Sequence, residues 1–111
     1  MIWLDDLYIS DNITRKKDKL IKKINKGKIT KNLYVIALSR NSSDLLDVFQ
    51  ANILKQDYYK KQDIIAVGLA KSEDAAYELV KTIVDDCYAA TNGVDVKAFF
   101  QERLGETIDN A

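Results

Sequence analysis

The sequence predicts an α/β domain on a small three-stranded, mostly parallel sheet, in the order β-α-β-α-β-α-α with helical crossovers. Three observations predict it. Residues 33–38 and 64–70 are uninterrupted apolar runs, about the length of strands covered on both faces. The second run leads at once into Ser72, Glu73 and Asp74, an N-cap and two acids where a helix macrodipole favours them. Between and after the runs, apolar residues recur at helical spacing, and strands alternating with helices imply a parallel sheet.

In chain order, Leu7-Tyr8-Ile9 reads as a brief first strand, with an extended terminal arm as the alternative. Ser10-Asp11-Asn12 offers caps for a helix over residues 12–26. Ile13, Leu20, Ile21 and Ile24 form its apolar stripe, and Arg15, Lys16, Lys19, Lys22, Lys23 and Lys26 occupy the rest. Gly27 is a natural stop. Like charges three and four apart repel by a few tenths of a kcal/mol per pair, so this helix depends on tertiary packing.

Residues 33–38 form the second strand. Residues 40–44 are loop and cap, and Leu45, Leu46, Val48, Phe49, Ile53 and Leu54 recur as a helix would, to about Lys55. Residues 56–63 are a polar connector into the third strand. There Ala66, Gly68 and Ala70 fall on one face, and Ile65, Val67 and Leu69 on the other. The small-residue face would let a helix backbone approach, which accounts for Gly68.

The long helix that follows carries Ala76, Leu79, Val80, Ile83, Val84 and Cys87 inward, and Asn92-Gly93 ends it in the left-handed region. Asp95 caps a short last helix with Val96, Phe99, Phe100 and Leu104 facing in. Residues 1–104 are thus one domain and 105–111 a frayed tail. Leu7-Tyr8-Ile9-Ser10, the Lys-rich helix, residues 33–38, and Tyr58-Tyr59-Lys60-Lys61 leading into residues 65–70 resemble a family of short uncharacterised bacterial proteins over residues 7–100. The resemblance implies a bacterial cytoplasmic origin and carries no activity or functional residue with it.

Composition narrows the function classes. Seventeen basic and seventeen acidic side chains cancel, yet they are segregated. Residues 14–31 hold nine Lys or Arg and one acid, and from Lys71 onward nine acids face four bases. No run of about 18 apolar residues could span a membrane. The opening residues carry two acids and no basic n-region, against a secretory signal. A single cysteine forms no internal disulfide, which fits a reducing cytoplasm.

With no histidine, Ser-His, Cys-His and His-ligated metal chemistry are excluded in their usual forms. Four glycines spell neither a dinucleotide fingerprint nor a P-loop. Cys87 belongs to an apolar stripe, where a thiol is inert. The pairs Asp5-Asp6, Glu73-Asp74 and Asp85-Asp86 are sequence neighbours, which on a helix point about 100° apart and share a metal poorly. No catalytic residue, metal or cofactor is expected, and the balance leans away from an enzyme.

Two surfaces remain. Arg15, Lys16, Lys19, Lys22, Lys23 and Lys26 could meet a partner protein or track a phosphate backbone, although no aromatic is interleaved to stack on bases. Arg40, Asn41, Lys71 and Ser72, at the carboxyl ends of parallel strands beside helix N-termini, could hold a small anion. The leading expectation is a non-enzymatic module that associates with itself or another protein. The alternatives are a nucleic-acid accessory protein using residues 14–31, and anion binding near Arg40 and Lys71.

Overall fold

The computed structural model describes residues 2–28, 32–38, 45–55 and 64–101, the side chains of residues 12, 54 and 55 excepted. Strand β1 (Ile2–Ile9) leads through a 3-10 turn (Asp11–Lys16) into helix α1 (Lys17–Asn25). Strands β2 (Tyr34–Leu38) and β3 (Leu46–Gln50) follow, then a second 3-10 turn (Ala51–Lys55), strand β4 (Ile65–Ala70) and helix α2 (Glu73–Thr91). Residues 96–101 are helical where the described chain ends.

The sheet has four strands in the order β1-β4-β2-β3, and it is mixed. Only β1 and β4 run parallel; β2 is antiparallel to both β4 and β3. This corrects the three-stranded, mostly parallel expectation, and the cause is the segment read as a second helix. Residues 46–50 are extended, not helical. Their apolar positions fit helical spacing, but a short apolar run fits a strand equally, and Val48 and Phe49 favour one.

Packing decides between the two. Val35, Ile36 and Ala37 are 0–2% exposed, so β2 is buried on both faces and needs a hydrogen-bonded neighbour on each side. β4 supplies one and β3 the other. The described residues between β2 and β4 are β3 and a 3-10 turn, and β2 meets β4 antiparallel.

β1 is also longer than the three residues expected. It pairs with β4 at both ends, through Ile2–Ile65 and Trp3–Ala66, then Tyr8–Gly68 and Ile9–Leu69. Between those pairs residues 4–7 stand opposite Val67 alone. Asp5 and Asp6 bow out to solvent while Leu4 and Leu7 turn into the core. The β2–β4 register also shifts beside Val67. The irregularity breaks the expected alternation in β4: Ala66 and Leu69 share one core cluster, Val67 and Ala70 the other.

The space beside Gly68 is likewise taken by strands rather than by a helix. A Cβ there would stand 2.9 Å from Ile36 Cδ1 and 3.2 Å from both Ile36 Cβ and the Tyr8 carbonyl oxygen.

Two apolar clusters place one helix on each side of the sheet. Ala76, Ile83 and Cys87 of α2 pack with Leu4, Leu7, Ile36, Val67, Val96 and Phe100. Ile13 and Ile24 pack with Leu33, Val35, Ala51, Ala66 and Leu69 on the opposite face. Val35 and Ile36, adjacent along one strand, point into different clusters, which makes these the two faces of the sheet.

Helix ends follow their local chemistry. Ser72 Oγ accepts the Ala75 N–H at 3.0 Å, capping α2 as its sequence implied. Asn92, at φ 58°, closes that helix with its N–H on the Tyr88 carbonyl. Gly27, at φ 71°, ends α1: its N–H reaches the Ile24 carbonyl, and the Lys28 N–H reaches Lys23. The α-helix here starts only at Lys17, the preceding turn being 3-10. Asp95 caps the last helical residues, its Oδ1 accepting from the Ala98 N–H at 3.2 Å.

Candidate anion-binding groove

An open groove of about 560 Å³ lies at the end of the sheet where β1 and β4 finish and β2 begins. Ile13 and Lys16 from the first 3-10 turn and Leu20 and Lys23 from α1 form one wall. Asn32, Leu33 and Tyr34 at the start of β2, with Lys71, Ser72 and Glu73 at the start of α2, form the rest. A volume of this size is in the ordinary range for ligand sites.

Helical geometry explains which lysines arrive there. Lys16, Leu20 and Lys23 recur at i, i+4 and i+7 and so stack on one side of the helical segment. Ile21 and Ile24, a third of a turn away, face the core. Arg15, Lys19, Lys22 and Lys26 fall on the remaining side, exposed, and line none of the groove. The six cations expected to form one surface therefore divide into a groove pair and an outer ridge of four.

The other wall is fixed by the β4–α2 turn. Ser10 Oγ, at the end of β1, accepts the Lys71 N–H at 3.2 Å, and the Ser10 N–H donates to the Leu69 carbonyl at 3.1 Å. Ser10 thereby ties the turn to the neighbouring strand end and sets where Lys71 and Ser72 stand. Asn32, in the left-handed region at φ 62°, turns the chain into β2. Gln50 Nε2 donates to the Tyr34 hydroxyl at 3.4 Å from β3.

Three ammonium groups against the single Glu73 carboxylate leave the lining cationic. The positive end of the α2 macrodipole adds to it, since Ser72 is the N-cap of a 19-residue helix. Ile13, Leu20 and Leu33 supply apolar floor between the charges. This lining can hold a carboxylate- or phosphate-bearing group together with a small apolar one.

Of the expected anion site, Lys71 and Ser72 line the groove. Arg40 and Asn41 lie outside the described residues; Leu38, the last residue described before them, ends β2 beside the Ala66 end of β4, away from Ala70. That separation follows from the antiparallel strand. The sequence reading missed Asn32, Tyr34 and Glu73 as lining residues. For Asn32 and Tyr34 the signal was weak, because only the reversed direction of β2 brings its first residues to this end, whereas Glu73 simply adjoins Ser72.

Elsewhere, Cys87 is a buried free thiol with its Sγ near the Gly93 carbonyl oxygen at 3.5 Å. Among the described residues no group of His, Cys, Asp and Glu could hold a metal ion, and no helix is long and apolar enough to cross a membrane. No family model, curated protein or solved structure matches the chain.

Proposed function

We propose that this chain is a non-enzymatic binding domain that works by associating with another protein, taking an acidic segment of that partner into the groove. One observation carries the reading: Lys71, far along the chain, joins Lys16 and Lys23 of the first helical segment on one concave surface at the start of α2. Ile13, Leu20 and Leu33 between them favour a peptide, which offers carboxylates and apolar side chains together, over a bare ion.

A bacterial cytoplasmic setting belongs to the same proposal, and the buried free thiol of Cys87 fits it. A second reading, a small phosphate-bearing ligand, is favoured by the N-terminus of α2 at the groove wall.

Titration of a labelled acidic peptide and of pyrophosphate separates the two. The peptide should bind, and replacing Lys16, Lys23 and Lys71 by Gln should weaken it by about tenfold or more, as loss of three partly screened charge pairs implies. Binding of pyrophosphate alone would transfer the groove to the second reading. If neither binds, or the triple variant binds as before, both readings fail.

A further inference from the structure

We propose that this chain also self-associates head to tail, the outer ridge of α1 in one copy lying against the outer face of α2 in the next. The proposal rests on residues outside the groove. Arg15, Lys19, Lys22 and Lys26 recur at i, i+4, i+7 and i+11, all exposed, with Asp18 the one acid on their flank. Across the sheet, Ala76, Ile83 and Cys87 turn α2 inward, which leaves Asp74, Glu78 and Asp85 on its far side, all exposed, with Lys81 among them.

The buried residues of α1 and α2 belong to clusters on opposite faces, with Ile21 of α1 also reaching the α2-side cluster, so the apolar sheet runs between a cationic helix and an anionic one. Both charged stripes span about 16 Å at the helical rise, so they match in length as well as sign.

Such a contact is heterologous. The surface that a first copy offers on one side is complementary to what it offers on the other, so copies add in an open row and do not close as a two-fold dimer. A second copy is a better occupant than a nucleic acid for a reason of charge. A phosphate backbone would use the α1 ridge and leave the carboxylates of α2 without a counterpart. A second copy satisfies both stripes in one contact, and the chain's zero net charge lets rows grow without accumulating repulsion.

Sedimentation and light scattering of the full chain test this at high protein concentration. At roughly 10 mM salt, where screening reaches only over ~30 Å, the mean mass should exceed the 12.6 kDa of one copy. At roughly 1 M salt, with a Debye length of ~3 Å, it should fall back to a single copy.

Two charge-reversed variants supply the specific arm. One carries Lys19→Glu, Lys22→Glu and Lys26→Glu; the other carries Glu78→Lys and Asp85→Lys. Each alone should remain a single copy at low salt, and an equal mixture should associate, since every α1–α2 pairing between unlike copies is again attractive. Circular dichroism of each variant confirms the fold, and Lys→Gln replacements at the same sites should weaken association without reversing it. A wild type that stays a single copy at low salt overturns the proposal, as do variants that associate alone. Wild type that stays single but binds a DNA duplex through α1 also overturns it and gives the ridge to nucleic acid.

Discussion

At the scale of single residues, Gly68 shows how the core limits sequence choice. An alanine methyl there must displace the Ile36 side chain, which can shift at its Cδ1 end, and also crowd the Tyr8 carbonyl, which cannot move freely. Gly68→Ala should therefore lower stability by about 1–3 kcal/mol, the range for overpacking a well-filled interior. Chemical denaturation reads this directly, and an unchanged midpoint would mean that β1 yields. Ser72→Ala removes the side-chain acceptor of the Ala75 N–H and should cost about 1 kcal/mol. The same titration series checks it, with Ser72→Asp expected to retain most of the stability. Ser72, Asn92 and Asp95 were legible as caps from sequence because capping depends on residues within one turn. The restriction at Gly68 was not, because it comes from strands far away in the chain.

At the scale of elements, α1 carries a conflict that the sheet face resolves. Its Ile24, with Ile13 of the preceding 3-10 turn, is buried, while its cations repel one another along both exposed sides. Lys19→Glu would turn contacts with Arg15, Lys16, Lys22 and Lys23 from repulsive to attractive and place a second acid beside Asp18 in the first turn of α1. It should raise stability by about 1 kcal/mol at low ionic strength, and the gain should fade as salt is added. Thermal unfolding at two salt concentrations measures both effects; a destabilised variant would mean that the native lysine makes a contact of its own.

The helices were readable because the period repeats one signal over several turns, about five of them in α2. β3 was not, because five residues with apolar positions at 46, 48 and 49 satisfy a helix and a strand alike. Only the need of β2 for a second neighbour selects the strand.

At the scale of the whole molecule, the reading of a three-stranded, mostly parallel sheet recovered the α/β character and missed both the fourth strand and the direction of β2. Direction depends on what connects β2 to β4, and connection is a property of the chain as a whole. The groove follows the same rule. Lys71 and Ser72 could be placed at a strand end from β4 and α2 alone, whereas Tyr34 joins them only once β2 is reversed. Protection from hydrogen exchange should rank accordingly. Amides of β4 and β2, central and buried, should exchange slowest, and those of Leu4–Leu7 should exchange fast although they belong to a strand. Slow exchange at Asp5 and Asp6 would show that the Lys17 ammonium, 3.0 Å from the Asp5 carbonyl oxygen, and the buried Leu4 and Leu7 hold the bow closed.

That bow has a consequence for how this chain tolerates change in length. Trp3 on Ala66 and Tyr8 on Gly68 are anchored separately, and the span between them already holds slack. A glycine inserted between Asp5 and Asp6 should enlarge the loop and leave both anchorages where they are. The same insertion in β2 would turn Val35 and Ile36 to the wrong sides of the sheet, so of these two strands the first is the one that can accept a splice of this kind.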